Sequence, residues 1–269
     1  MHHKKIKILA NIEIAPAYYR MILKDLEISN EALPGQFIHV RVSDDLHPLL
    51  RRPFSLYRIS KEDQFIEILY QIVGQGTLLL SKKRRDEYLD VIGPIGRGFW
   101  LEKPTQEVLL VAGGVGIAPL FALAEKLLKE DLPSHKIIFF LGAKSKDSLI
   151  GLDELRNLGI KVEVTTKDGS VGYDGVVSTL LKIHLSQKKV ISKSQIFSCG
   201  PLPMLKVVSQ IAAKHNLPCQ VSLEERMGCG IGACLGCVVK VREKGSSAED
   251  YERVCVNGPV FNADEVVWE

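Results

Sequence analysis

Residues 108–119 read VLLVAGGVGIAP. Five apolar residues, Val108 to Ala112, run without a break into a turn carrying Gly113, Gly114 and Gly116, and Pro119 follows. An apolar run of this kind fits a strand buried on both faces, as parallel sheets require. Glycines let a backbone approach a diphosphate at a helix N-terminus. Proline suits the first helical turn, where its missing N–H is not needed. The full G-x-G-x-x-G fingerprint is absent, because Pro119 occupies the place of the third glycine. A tight strand-to-helix turn that holds no ligand would read the same way.

Downstream the rhythm repeats. Leu120–Leu128 has helical spacing, KIIFFLGAK (136–144) is a second buried strand, and 152–158 is again helical. KVEVTT (161–166), a helical stretch over 176–185 and SQIFSCG (194–200) follow. Alternating strands and helices predict a doubly wound parallel sheet over residues 103–217. The last of these strands ends in Cys199-Gly200-Pro201 and opens another helix. In such sheets these strand ends share one ligand crevice. A buried strand cysteine is an equally plain reading of Cys199. Lys144, Ser145 and Lys146 are either a 2′-phosphate cluster or ordinary loop residues, so the choice between NAD and NADP stays open here.

Beyond Pro218 too little chain is left for another such unit. Residues 224–237, EERMGCGIGACLGC, hold Cys229, Cys234 and Cys237 at C-x4-C-x2-C spacing, and Cys255 follows after seventeen residues. That is the plant-type [2Fe–2S] spacing. Zinc sites favour two C-x2-C pairs or cysteine–histidine mixtures, and no histidine occurs after His215. The glycines let a loop wrap closely and aim N–H groups at sulfur. A small domain over 218–269, with one strand pair joining 238–241 to the final valines, would depend on such a cross-link for stability. Cys219 lies outside the pattern and reads as structural.

Upstream, residues 1–102 contain six short alternating runs: IKILANIEI, YYRMILKD, GQFIHVRV, FSLYRIS, FIEILYQIV and YLDVIG. They predict a small antiparallel barrel. Arg51-Arg52-Pro53-Phe54-Ser55 offers guanidinium groups and a hydroxyl to a flat, phosphorylated ligand. Gly74-Gln75-Gly76-Thr77 can open a helix towards a phosphate. Either motif alone is as well explained by an ordinary strand start or turn.

The composition is that of an ordinary globular chain, with 46% hydrophobic and 25% charged residues. A net charge of +3 over 269 residues excludes a nucleic-acid binder of the basic type. The basic run Lys82–Arg85 is followed by Asp86 and Glu87 and reads as a solvated loop. No apolar run reaches the ~20 residues of a membrane span. With no signal-peptide pattern at the start, a cytoplasmic protein is expected, where clustered cysteines are metal or redox groups.

R-P-F-S, then G-x-G-T, then Gly93-Pro94-Ile95-Gly96 resembles the flavin domain of the ferredoxin–NADP reductase superfamily. The resemblance implies FAD held by Arg52, Pro53, Phe54, Ser55, Gly76 and Thr77, with Leu69, Tyr70 and Gln71 along it. Many relatives have tyrosine at Phe54, so one hydroxyl is missing here. Gly113, Gly114, Gly116 and Pro119, with Gly200 and Pro201, would surround the nicotinamide, and Cys199 would lie near the ring. The stretches EERMGCGIGACLGC and DYERVCVNGPVF narrow the resemblance to the electron-transfer subunits of class 1B dihydroorotate dehydrogenase. That family implies iron ligands Cys229, Cys234, Cys237 and Cys255, and NAD as electron acceptor. It also implies an FMN-containing dihydroorotate dehydrogenase catalytic subunit as partner, in a heterotetramer with two copies of each chain, serving pyrimidine biosynthesis. The alternatives are a similar subunit of a sulfhydrogenase, a sulfite reductase or an NADH-dependent ferredoxin:NADP oxidoreductase. A zinc-stabilised adaptor without enzymatic activity is the reading from another class.

Overall fold

The computed structural model describes residues 1–101, 107–187, 193–242 and 248–268. The expected boundary between residues 102 and 103 falls outside them. Six antiparallel strands, β1 (His2–Ala15), β2 (Tyr18–Lys24), β3 (Phe37–Arg41), β4 (Arg52–Ser60), β5 (Phe65–Gln71) and β6 (Tyr88–Ile95), close into a barrel in the order β1-β2-β5-β4-β3-β6. Period-two alternation sends Ile38, Val40, Leu56, Ile66, Ile68 and Val91 into its interior. Helix α1 (Leu26–Glu31) is capped by Asp25, whose Oδ1 accepts the Ile28 N–H at 2.8 Å. Helix α2 (Gln75–Ser81) follows β5 directly. The basic run beyond it is largely exposed, as a solvated loop should be.

The second layer is built from β7 (Glu107–Gly113), β8 (Ile137–Ala143), β9 (Lys161–Thr166), β10 (Tyr173–Asp174), β11 (Ser194–Cys199) and β12 (Cys219–Ser222), all parallel. Helix α3 (Ile117–Lys129) and helix α4 (Leu152–Asn157) bury Leu120, Phe121 and Leu155 with Leu110, Phe139 and Leu141 of the sheet. Helices α5 (Val177–Gln187) and α6 (Leu202–Lys214) bury Leu181, Leu185, Leu205 and Val208 with the opposite set, Leu109, Val111 and Phe140. Helices on both faces explain why these strands are unbroken apolar runs.

The last fifty residues are more deeply joined to this sheet than their glycine-rich sequence suggests. β12 lies beyond the expected start of a small domain at 218, and it is the sixth strand of the sheet. After a hairpin of β13 (Val238–Arg242) and β14 (Glu249–Arg253), strand β15 (Val260–Asn262) adds to β12 antiparallel as the seventh. Met227, Cys237, Val241, Val254 and Cys255 belong to the same buried cluster as Leu109 and Val111. The expected pairing of 238–241 with the final valines holds only at its end, where the Arg242 N–H donates to the Glu265 carbonyl at 2.7 Å and the Val267 N–H to the Lys240 carbonyl at 3.0 Å. β13 pairs along its length with β14, and Val266 meets it only through a single bridge to Val241. β14 is charged and largely exposed, so no apolar alternation marks it in the sequence.

The barrel leans on α3 through a mixed aromatic and charged contact. Tyr57 is fully buried and stacks on Phe121 with ring centres 4.4 Å apart. The Arg58 guanidinium lies 5.1 Å over Phe121, donates to Glu125 at 3.0 Å and stands 3.7 Å from buried Glu67. Burial raises the pKa of both carboxyls, against the pull of Arg58. The variant Arg58→Met strands Glu67 without its cation and is expected to cost about 3 kcal/mol of stability. Raised folded-state pKa values mean that the folded chain binds these protons more tightly than the unfolded one. The deficit should therefore be largest at about pH 8 and shrink towards about pH 5, as urea unfolding at both would show.

Candidate cofactor cleft and cysteine loop

A cleft of about 860 Å³ opens where barrel, sheet and the C-terminal arm meet. The barrel contributes Arg52, Pro53, Phe54 and Ser55 from β4, Leu69, Tyr70 and Gln71 from β5, and Thr77 from α2. The sheet side contributes Val115 and Ala118, and the arm Leu223–Met227 closes one end. Eight residues that the sequence assigned to one flat ligand thus line one wall. Tyr70 stacks on Tyr19 at 5.5 Å and tilts against Phe54 at 5.7 Å, making that wall aromatic. The Tyr70 hydroxyl donates to Asn11 Oδ1 at 2.8 Å, and Asn11 in turn donates to the Leu80 and Lys83 carbonyls at the end of α2. Asn11 went unnoticed in the sequence, because an asparagine within a strand run carries no motif.

The two arginines part company. Arg51 also lines the cleft, but its guanidinium is tied to β6, donating to the Asp90 carboxylate at 2.8 Å and to its carbonyl at 2.9 Å. Arg52 is anchored to the Leu50 carbonyl at 2.6 Å and lies against Gly76. A Cβ on Gly76 would stand 2.9 Å from Arg52 Nε, so the glycine makes room for the guanidinium. The Thr77 hydroxyl is used locally, accepting the Val73 N–H at 2.9 Å and capping the turn.

On the sheet side the two glycine turns interlock. β7 and β11 are neighbours, with Ala112 opposite Cys199, at the point where strand order reverses. A Cβ on Gly116 would lie 2.2 Å from the Cys199 carbonyl oxygen, and one on Gly113 would lie 2.8 Å from Met204 Sδ. Gly200, at φ +155°, packs back against Gly113. These glycines serve chain-to-chain approach, whereas Gly114, at φ +56°, faces open space. Pro119 is buried in the first turn of α3, and Pro201 packs on Gly113. Cys199 is buried behind the cleft wall rather than on it, and burial keeps its thiol firmly protonated.

The four cysteines fall into two pairs. Cys229 donates its N–H to Cys234 Sγ at 3.4 Å, and the Ile231 and Ala233 N–H groups point at Cys229 Sγ at 3.5 and 3.3 Å. Burial opposes ionisation of Cys229, but these N–H groups outweigh it and bring its pKa to about 6. Cys237 and Cys255 form the inner pair, both buried, and burial with the adjacent Cys237 pushes Cys255 up to about 12. Cys234 is exposed, amid exposed Ile231, Leu235 and Val256. Met227, two residues before Cys229, is by contrast buried in the core. Gly230 and Gly232, at φ +70° and +85°, give the loop its curvature.

One buried side chain under this loop was missed. His39, from FIHVRV, is fully buried, and neither ring nitrogen has a hydrogen-bond partner. Burial and the nearby Arg51 charge bring its pKa down to about 4. The available signal was a histidine at a polar position of the alternating strand FIHVRV, which sequence alone cannot separate from a solvated strand residue.

Two profiles match the chain: the iron–sulfur cluster binding domain of dihydroorotate dehydrogenase B over residues 224–267, and the oxidoreductase NAD-binding domain over residues 110–210. The chain is 39% identical over 263 residues to a dihydroorotate dehydrogenase B (NAD+) electron transfer subunit from Desulforamulus reducens, covering 98% of this chain and 97% of that one. It belongs to that family. The corresponding subunit from Fusobacterium nucleatum is 38% identical, with 95% of each chain covered. Among solved structures, an NADH-dependent reduced ferredoxin-NADP oxidoreductase, described for flavin-based electron bifurcation, aligns with TM-score 0.84 and 32% identity. That alignment spans 98% of this chain and 90% of the other. A ferredoxin NADP+ reductase from Neisseria gonorrhoeae aligns at TM-score 0.68 and 18% identity, covering 80% of this chain and 92% of that one, and shares the fold.

Family membership brings FAD, a [2Fe–2S] cluster and NAD as cofactors. The geometry fits them. Two thiol pairs suit a cluster of two irons. The aromatic wall and cleft volume suit a flavin.

Proposed function

We propose that this chain accepts electrons from an FMN-containing, dihydroorotate-oxidising catalytic subunit and delivers them to NAD+, in a cytoplasmic heterotetramer with two copies of each chain. The observation that carries the reading is the shared cleft. It brings the R-P-F-S strand, the start of α3 and the arm leading into the cysteine loop to one place. When bound, FAD and the cluster supply the conversion between single-electron and hydride transfer.

The chain's own residues do the holding. Arg52 and Ser55 bind phosphate and the flavin edge, and Gly76-Thr77 presents backbone N–H groups to the pyrophosphate. Leu69, Tyr70 and Gln71 run along the flavin, with Phe54 packing on its ring. The turn Gly113-Gly114-Val115-Gly116, with Pro119, Gly200 and Pro201, positions the nicotinamide end of NAD. Cys199 backs that pocket as a neutral thiol. Cys229, Cys234, Cys237 and Cys255 are the iron ligands. Their requirement for free thiols supports a reducing compartment. Among the described residues no helix is long and apolar enough to cross a membrane. The partner docks on Ile231, Leu235 and Val256, which are exposed beside exposed Cys234.

Mixing the loaded chain with a dihydroorotate-oxidising flavoprotein subunit should give dihydroorotate-dependent NADH formation, followed at the NADH absorbance band. The chain alone should oxidise NADH with ferricyanide but leave dihydroorotate untouched. A second reading comes from the oxidoreductase that aligns at TM-score 0.84. Under it the loaded mixture would fail with dihydroorotate, and a ferredoxin–NADP partner would restore electron transfer.

A further inference from the structure

We propose that His39 is a positioning residue that clamps the first cluster-ligand peptide, Cys229–Gly230, onto the flavin strand and thereby sets the reduction potential of the iron–sulfur centre. The inference rests on the four cysteines holding that centre. Its basis is geometric. In β3, Ile38 and Val40 point into the barrel core, so His39 and Phe37 share the outward face. Phe37 is buried with the sheet and the cysteine segment. His39 stands opposite Pro53 of β4, next to the pair Val40–Arg52, and so lies against the backbone of the flavin motif.

Its ring is aimed at the cysteine loop. A Cβ on Gly230 would sit 2.4 Å from His39 Nδ1 and 3.0 Å from both Cε1 and Cγ. The imidazole thus fills the space that any side chain at Gly230 would need. The backbone groups facing the ring are those of Arg51, which precedes the flavin strand, and of Cys229 itself. Both nitrogens are buried and without a partner. Leaving such a group unmatched costs about 1–3 kcal/mol, a cost that apolar phenylalanine or leucine would avoid. A polar ring kept here at that cost has work in the loop it faces. The imidazole lies close to the Cys229 backbone without a completed hydrogen bond, and an N–H that closed on the Cys229 carbonyl would polarise the Cys229–Gly230 peptide beside the first ligand. Hydrogen bonding and dipoles around sulfur are a main determinant of such potentials.

The test uses the full chain loaded with FAD and iron, and needs no partner subunit. His39→Leu, which fills similar space without a donor, should retain FAD and iron. It should shift the one-electron reduction equilibrium of the centre at least tenfold against reduction, equivalent to 59 mV, in a titration followed by electron paramagnetic resonance. His39→Asn, which restores one N–H, should recover more than half of that shift. Equal shifts in the two variants, or an iron-loaded His39→Leu with unchanged potential and spectrum, would overturn the proposal. Should His39→Leu fail to fold or load, Gly230→Ala decides by crowding the same imidazole. A changed resonance spectrum and potential support the clamp, and wild-type values in the loaded variant overturn it. Wild-type chain that takes up no iron and sulfide would instead remove the cluster reading on which this inference stands.

Discussion

Serine at position 255 should cut dihydroorotate-dependent NAD+ reduction in the two-subunit assembly by about a thousandfold or more, a loss of about 4 kcal/mol in effective barrier terms. Ferricyanide-linked oxidation of NADH, which needs only the flavin cleft and the nicotinamide turn, should stay within a few-fold of wild type. The separation follows from where the thiols sit. Cys255 and Cys237 are the buried inner pair, within the core cluster that includes Leu109 and Val111. An alcohol there neither ionises nor binds soft iron as a thiolate does. It also buries a hydroxyl among apolar neighbours, so a stability loss of about 1–3 kcal/mol should accompany the loss of electron transfer. Cys234→Ser offers the contrast. Its side chain is exposed, so the same electron-transfer defect should come with little change in thermal midpoint. Iron content, the visible spectrum and the two assays measured side by side decide the matter, and a Cys255→Ser protein with full dihydroorotate-linked rate would refute the ligand assignment.

The second large effect is steric. Alanine at Gly116 places a methyl 2.2 Å from the Cys199 carbonyl oxygen, 2.5 Å from its carbon and 2.8 Å from the Gly200 nitrogen. Overpacking ordinarily costs about 1–3 kcal/mol because side chains yield. Here all three obstacles are backbone atoms at the joined ends of β7 and β11, so the expected cost is about 4 kcal/mol or more. On the proposed reading that these two turns hold the nicotinamide end, NADH oxidation should be lost with it, since they must separate to admit the methyl. Gly114→Ala is the matched control. That position has no atom within 4 Å to meet a Cβ, and only its φ of +56° opposes the change. A left-handed alanine costs about 1–2 kcal/mol. The control should fold, and the denaturant midpoints of the two variants should differ clearly.

Both predictions bear on what could be read from sequence. The strand-and-glycine stretch at 108–119 announced the parallel sheet, because burial on both faces forces unbroken apolar runs. The barrel was legible from alternation, since its strands have one face inside. The C-x4-C-x2-C run was legible because ligand spacing within one loop is a local property. β12, β14 and β15 were not legible. β12 is a short strand that extends a sheet begun more than a hundred residues earlier, and β14 carries charges that show no period.

The candidate site divides along the same line. Cleft-lining residues of β4 and β5 were readable because a short motif puts a guanidinium, a ring and a hydroxyl on consecutive strand positions. The divergence of Arg51 from Arg52 was not, because Asp90, which holds Arg51, lies on β6. Asn11, Glu67 and His39 were invisible for a related reason. Each is a polar residue in an apolar strand, and whether its partner is water or another element depends on the tertiary fold.

By itself, then, the sequence determined the three kinds of segment along the chain and the cysteine set, because these depend on local periodicity and spacing, and its motifs carried the resemblance to the family. Only the tertiary structure decided three further features: that the cysteine segment has no core of its own, that the glycines at 113 and 116 serve contact between two turns, and that His39 lies under Gly230. Each is a matter of close approach between residues distant in the chain, and such packing leaves no trace in a local pattern.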